Sequence, residues 1–174
     1  MTIEQAKEYI RQWILSSTTL NTVIEPFNAP QPERPYCSLF VLDVETIGDD
    51  YVDAGPVTTI LRGIRDLTVE INCYGDFIIS HMDKLVELRA SIYNDDIIDW
   101  FRSHNFIQLD VDPNVSDTTY GDQEESHWVP RATTKVTFRI ALEIEIPRFV
   151  INETTIGLTL KTGANGDINS TIKF

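Results

Sequence analysis

The chain has 174 residues, of which 42% are hydrophobic, and 27 acidic against 14 basic side chains give it a net charge of −13. This length and apolar content suit one folded domain and argue against intrinsic disorder. The acidic excess argues against a protein that holds nucleic acid, because affinity for phosphates comes largely from Lys and Arg. No apolar run approaches the roughly 20 residues of a membrane span, and the N-terminus lacks a signal-peptide pattern, so we expect synthesis and use in the cytoplasm.

The N-terminal segment is predicted to be a helix over residues 2–15. Thr2 and Gln5 have the spacing of a capping box, in which two side chains satisfy free N–H groups of the first turn. Apolar residues recur at helical spacing, which indicates a helix that packs on a sheet. These residues are Ile3, Ala6, Ile10, Trp13 and Ile14. Residues 25–35 contain four prolines, which fix φ and remove donors, so they are expected to form an extended surface connector.

Three strands are predicted next. Residues 36–46 contain the uninterrupted apolar run Leu39–Leu42, which indicates a strand covered on both faces, by a helix on one side and a neighbouring subunit on the other. A turn is expected at Gly48-Asp49-Asp50, followed by a short or edge strand within 51–62. Residues 65–74 alternate apolar and polar side chains, which is typical of a strand with one buried face.

Two helices and three further β segments complete the predicted order. Asp76 is a good N-cap for a helix that runs to about Tyr93, and Asn94 or Asp95 is suited to cap a shorter helix through Phe101. Asn105 suits a left-handed stop. Strands are predicted at 106–111 and 133–146, with an acidic loop over 112–128 between them. Residues 148–174 alternate around a Gly-rich turn and are predicted to form a β-hairpin.

This order of elements predicts an α+β fold, in which helices flank one side of a mostly antiparallel sheet and a C-terminal β-hairpin forms an arm. We expect a domain over residues 1–147 and a β extension over 148–174. The extension follows the strongest core strand, so it is expected to add to a sheet or reach a neighbouring chain.

No reaction centre is evident in the sequence. His81, His104 and His127 lack the spacing of a helical zinc pair. The spacing of Asp110, Asp112 and Asn114 opens like a calcium loop, but Val115 and Gly121 stand where that loop needs Gly and Glu. Cys37 and Cys73 lie in apolar strands, where thiols stay protonated. We therefore expect no enzyme activity, no metal and no cofactor.

One stretch resembles a known family. It starts at Asn28-Ala29-Pro30-Gln31-Pro32-Glu33-Arg34-Pro35-Tyr36 and continues through Thr58-Thr59-Ile60 and Arg62–Asp76, which ends in Tyr74-Gly75-Asp76. A long helix, a short strand and a long Arg-bearing strand over 131–146 follow. Over residues 1–147 the chain resembles the neck or tail terminator proteins of contractile-tailed phages.

The resemblance implies a virion structural protein, assembled in the host cytoplasm. Such a protomer would form a ring, expected to be sixfold, at the head-proximal end of the tail tube. The ring would stop tube polymerisation, link the tail to the neck, anchor the sheath and let DNA pass as cargo. Its implied partners are other copies of itself and the tail tube, sheath and neck or connector proteins, with no membrane. An acidic lumen would repel the phosphate backbone and let the duplex slide.

Two other interpretations remain open. A tail-completion, head–tail connector or baseplate protein would share this pattern and charge. A small acidic monomeric binding domain is the alternative from another class, although the apolar run Leu39–Leu42 favours assembly. For a subunit or partner interface we select apolar positions in the first strand and in the C-terminal extension. These positions are Leu39, Val41, Ile156, Leu158, Leu160, Ile172 and Phe174.

Overall fold

The computed structural model describes residues 1–25, 31–76, 78–111, 114–122, 127–147, 155–160 and 168–173. In chain order, its elements are α1 (Ile3–Thr18), β1 (Asn21–Ile24), β2 (Tyr36–Ala54), β3 (Thr58–Tyr74), α2 (His81–Ser91), α3 (Asp95–Ser103), β4 (Phe106–Val111), β5 (Ser116–Asp117), β6 (Tyr120–Asp122), β7 (His127–Val129), β8 (Arg131–Pro147), β9 (Thr155–Leu160) and β10 (Ile168–Lys173). None of the helices in these ranges is long and apolar enough to cross a membrane.

The main sheet has the strand order β1-β2-β3-β8-β4, and β5 also pairs with β8. All of its pairs are antiparallel except β1 with β2. The three helices contribute to one core on one face of this sheet. The predicted α+β class with a mostly antiparallel sheet is therefore confirmed, and the parallel strand β1 is an addition that the sequence pattern did not reveal.

The core forms where alternate side chains of β3 and β8 meet the helices. Leu67 and Val69 lie directly opposite Phe138 and Val136, and all four are buried. Trp13 of α1 packs edge-on against Phe138 at 6.0 Å between ring centroids, and its Nε1 donates a hydrogen bond to Ser91 Oγ at 3.0 Å. Since a fully buried large apolar side chain stabilises a fold by about 1.5–3 kcal/mol, this layer fixes the helices on one face.

The predicted helix caps are confirmed at three places. Thr2 and Gln5 form the capping box of α1, Asn94 caps α3, and Asn105 adopts a left-handed φ of 65°. The prediction for Asp76 is wrong. Its carboxylate accepts hydrogen bonds from the N–H groups of Ile78 and Ile79 and so closes a turn.

The N-cap of α2 is Ser80, whose hydroxyl accepts from the Asp83 N–H at 3.2 Å. The helix therefore begins later than predicted, at His81, and it also ends earlier, at Ser91 instead of Tyr93. An Asp side chain can accept hydrogen bonds from free backbone N–H groups both in a turn and at the start of a helix. The presence of Asp76 in the sequence therefore does not distinguish a turn from a helix N-cap.

The predicted turn at Gly48-Asp49-Asp50 is also wrong. Strand β2 continues through it as one 19-residue strand, and its register against β3 shifts between Ile47 and Tyr51. Gly48 has a φ of 72°, which lets the chain bulge without reversing direction. The short strand predicted within 51–62 is instead the end of β2 and the start of β3, joined at Gly55-Pro56-Val57.

The predicted acidic loop over 112–128 contains short strands, so that prediction is also incomplete. Strand β5 pairs with Thr133 and Ala132 of β8, while β6 and β7 form a small hairpin. The strand predicted at 106–111 is confirmed as β4, and the one predicted at 133–146 is extended slightly to β8. The Pro-rich connector lies partly outside the described residues.

An ion pair lies where the strands begin to extend beyond the helices that cover the core. Arg65 is nearly buried, and its Nη2 donates to Asp50 Oδ2 at 2.6 Å while Nη1 donates to Oδ1 at 2.8 Å. The bulge in β2 places Asp50 there, next to Gly63. A Cβ on Gly63 would overlap Asp50 Oδ1, so the pair depends on a residue without a side chain.

We predict that Gly63→Ala destabilises the protein by about 1–3 kcal/mol, the usual cost of forcing a methyl group into a filled site. The added methyl group would displace the Asp50 carboxylate from Arg65. Urea unfolding followed by circular dichroism measures this change. Gly121→Ala is the matched control, because its Cβ would meet only Trp128, at 4.0 Å. Equal stability of the two variants would contradict the prediction.

Candidate interaction surface

The described residues contain no cluster of three or more His, Cys, Asp or Glu side chains that could hold a metal. Cys37 and Cys73 are free, buried and directly opposite each other on β2 and β3. The hydrogen bond between the two thiols and their burial raise the pKa of Cys73. His81 begins α2 and His104 caps the end of α3.

The sheet face away from the helices is polar and cross-linked between strands. Arg139 of β8 forms a bidentate pair with Asp66 of β3, with N–O distances of 2.8 and 2.7 Å. Thr133 Oγ1 donates to Asn72 Oδ1 at 2.7 Å, and the Thr68 and Thr137 hydroxyls lie 3.1 Å apart. The hydrogen bonds from Arg139 lower the pKa of Asp66. Such cross-strand pairs stabilise the register of β3 against β8.

Strands β2, β3 and β8 extend past the helices as a three-stranded projection. We call it the outer sheet and define it as residues 46–54, 58–65 and 142–147. Strand β4 begins at Phe106, opposite Ile140, and covers no residue of β8 beyond that point, whereas β3 and β8 stay paired as far as Thr58 and Pro147. At about 3.3 Å per residue, the outer sheet is roughly 25 Å long.

One face of the outer sheet is apolar and uncovered. Val52, Leu61 and Ile144 are direct cross-strand neighbours, and Ile146 follows two positions after Ile144 on the same face. We call these four residues the outer patch. Val52 is 56% exposed, Ile144 40% and Ile146 43%. On this face the Asp50–Arg65 pair lies between the outer patch and the helix-covered core. The outer patch is a part of the core face to which the helices do not extend.

The opposite face of the outer sheet is charged. Arg62 Nε donates to Glu143 Oε2 at 2.8 Å, and its Nη1 lies 3.9 Å from Asp53 Oδ2. The outer sheet contains two basic residues, Arg62 and Arg65, and five acidic ones. The acidic residues are Asp49, Asp50, Asp53, Glu143 and Glu145. The Asp50–Arg65 pair belongs to the face of the outer patch, because Gly63 and Arg65 have the same parity along β3 as Leu61. The opposite face carries Arg62 and Glu143 and has an acidic excess.

Both long edges of the outer sheet lack a partner strand in the described part of the chain. Strand β1 pairs with Tyr36–Leu39 of β2 and goes no further. On the other side, the Glu143 N–H donates to the Met1 carbonyl at 3.1 Å, and no described strand pairs with β8 beyond that point. Unpaired edges of this kind are surfaces on which another chain can add strands.

The interface residues that we predicted in β2 differ in exposure. Leu39 has no exposed surface and lies opposite Ile71 in the core, so the protomer itself covers it. Val41 is half-buried against the same core. Leu42, at the register shift of β2, is 41% exposed. The run Leu39–Leu42 is thus covered by its own helices at one end and open at the other.

The remaining predicted interface residues lie in the C-terminal segment. Strands β9 and β10 pair as an antiparallel hairpin, as predicted, and form a two-stranded sheet of their own. The register aligns Ile156 with Ile172 and Leu160 with Ile168. With Leu158, these positions have the same parity and therefore share one face of the hairpin. Phe174 lies outside the described residues.

A comparison with protein-family models identifies the chain. The family described as phage neck terminator protein matches residues 4–162, which include the whole main sheet, α2, α3 and all of α1 except Ile3. The chain belongs to the phage neck terminator protein family. No curated protein gave a significant match to it.

Membership in the neck terminator family makes this chain a structural component of a phage neck or tail. The matched range passes the boundary that we predicted at residue 147 and includes β9. The first strand of the C-terminal hairpin therefore lies within the matched range.

The sequence analysis missed the outer patch of this neck terminator. Its signal was present, because the alternation of β8 continues through Ile144 and Ile146 in the same phase as the buried Phe138 and Ile140. Alternation shows that residues share a face, but it does not show where the covering helices end. The patch can be recognised only when the lengths of the strands and of the helix layer are compared.

We predict a specific pH dependence for the polar face. Arg139 lowers the folded-state pKa of Asp66. The ion pair therefore contributes its full stabilisation of the fold above the unfolded-state pKa of Asp, about 3.9. It is lost as the pH falls through the lower folded-state value. Asp66→Asn should therefore lower the urea midpoint at pH 6 and leave a smaller difference from wild type near pH 2.

A double-mutant cycle with Arg139→Gln provides the control. If the two side chains act as one pair, the double variant should be no less stable at pH 6 than the less stable single variant. Additive losses from the two substitutions would show that the pair is not the source of the effect.

Proposed function

We propose that this protein is a non-enzymatic subunit of a ring that closes the head-proximal end of a phage tail tube. The ring stops tube polymerisation and links the tail to the neck. The observation that carries the proposal is the family match over residues 4–162. It is supported by a protomer whose sheet projects beyond its own helices with an uncovered apolar patch.

Assembly into a ring suits this protomer for a physical reason. A closed ring of identical copies uses two different surfaces of each subunit, and the same contact repeats around the axis. The outer patch provides one apolar surface of the subunit. The half-buried Val41 and the exposed Leu42, closer to the start of β2, provide further apolar area. We propose six copies in a contractile tail, with the tail tube, sheath and neck proteins as the other partners.

DNA passage is consistent with the charge of the chain. Residues 1–147 contain 25 acidic and 11 basic side chains, so a channel through a ring of such subunits would repel the phosphate backbone. Repulsion prevents the duplex from adhering while it passes. We propose that DNA is cargo in transit and that the protein acts in the virion after assembly in the host cytoplasm.

The first test is electron microscopy of lysates from a phage with an early stop codon in this gene. We expect overlong or ragged tails that lie apart from filled heads, because nothing ends tube growth. A plasmid copy of the gene should restore tails of normal length. Tails of normal length that fail to join heads would instead indicate a head–tail connector, and intact infectious virions would contradict any structural role.

A second prediction concerns the purified protein. Native mass spectrometry should detect a closed oligomer, with six copies of the 19.9 kDa chain as the expected mass. Ile144→Asp should reduce the oligomeric fraction, because it adds a charge to the apolar outer patch. The matched control is Val86→Asp, at an exposed site on α2. A wild-type protein that stays monomeric at assembly concentrations would contradict the ring.

A further inference from the structure

Two parts of this chain are incomplete by themselves. The outer patch has no cover among the described residues. The hairpin β9–β10 is a sheet of two strands, and an isolated two-stranded hairpin is at best marginally stable in water. The hairpin therefore gains stability from an apolar partner, and the outer patch is an apolar surface that such a partner can cover.

We propose that the apolar face of the β9–β10 hairpin of one subunit packs on the outer patch of a second copy of this chain. This inference rests on the proposed ring and names the surfaces that join its subunits. It also gives the predicted C-terminal extension over 148–174 a defined partner.

The dimensions of the two surfaces agree. Strands β9 and β10 have six residues each, which is about 20 Å at the usual rise per residue. The outer sheet is of similar length, and both surfaces are β-sheets with apolar residues at alternate positions. Two sheets that pack face to face lie about 10 Å apart and bury these alternate side chains.

The charges of the two segments also favour this pairing. The outer sheet has five acidic and two basic residues, whereas residues 148–174 have three basic and two acidic ones. The C-terminal segment is thus slightly cationic in a strongly acidic chain. Its basic residues are Arg148, Lys161 and Lys173. Opposite charge around an apolar contact selects the partner and its orientation.

The course of the chain favours a neighbouring copy over the same subunit. Strand β8 runs outward along the outer sheet and ends at Pro147, opposite Thr58 and next to the turn that joins β2 to β3. Residues 148–154 separate this point from β9, a reach of at most about 25 Å for seven extended residues. In the same chain, Val52, Ile144 and Ile146 of the outer patch remain exposed. Within the described chain, no strand of the main sheet pairs with it.

Site-specific cross-linking tests the proposal. One chain carries Val52→Cys in the outer patch, and a second chain, with a mass tag, carries Leu158→Cys on the apolar face of the hairpin. The two are mixed, allowed to assemble and treated with a short bis-maleimide. We expect a linked pair of one tagged and one untagged chain. The native Cys37 and Cys73 are fully buried and should leave wild-type protein unlinked.

The control moves the cysteine to the other face of the hairpin. Thr159 is next to Leu158 and has opposite parity, so Thr159→Cys should link to Val52→Cys with a yield roughly tenfold lower, because docking raises the effective concentration only for the correct face. Equal yields from the two positions would overturn the proposed face.

Three further outcomes would overturn the proposal, and they separate it from the proposed function. Links within single chains of a Val52→Cys/Leu158→Cys double variant, without links between chains, would mean that each hairpin covers its own patch. An oligomer of wild-type mass with no links at all would retain the ring and remove the hairpin from its interface. A wild-type monomer in the mixing experiment would overturn the ring and the hairpin contact together.

Discussion

The pairing of β3 with β8 is the constraint on which the rest of the structure depends. Seventeen consecutive residues of β3 align with β8 without a register shift. A shift of one residue would move Leu67 and Val69 from the core to the polar face. The same register opposes Asp66 to Arg139 on one face and places Leu61 beside Ile144 on the other. The core, the polar ladder and the outer patch are therefore consequences of one alignment.

The sequence predicted the elements whose signals are local. The capping box of Thr2 and Gln5, the cap at Asn94 and the left-handed Asn105 were found because each depends on a few neighbouring residues. The elements that were missed or predicted wrongly depend on pairing between strands that are distant in sequence. Strand β1 has four residues and exists because β2 lies beside it. In sequence, Gly48-Asp49-Asp50 has the composition of a turn. Only the pairing of β3 with β2 on both sides of Gly48 shows that this segment is a bulge.

The predicted interface residues show what a periodic pattern can and cannot establish. Alternation placed Ile156, Leu158, Leu160 and Ile172 on one face, and the register of the hairpin agrees. The uninterrupted apolar run Leu39–Leu42 led to the choice of Leu39, which is covered by the helices of its own subunit. A periodic pattern identifies a face that must be buried, but the chain that buries it is determined by tertiary structure. For this reason the alternation of β8 through Ile144 and Ile146 did not reveal that this end of the strand is exposed.

Charge explains why an uncovered apolar surface can be retained on the outer sheet. Its open edges carry Asp49, Asp53 and Glu145, and charged edge residues oppose indiscriminate strand addition. Because the outer sheet has five acidic and two basic residues, two outer sheets repel each other as they approach, which disfavours self-association of the patch. A partner must therefore be apolar and less acidic than the outer sheet itself. Within this chain, residues 148–174 meet both conditions, since they combine an alternating apolar pattern with a small excess of basic residues.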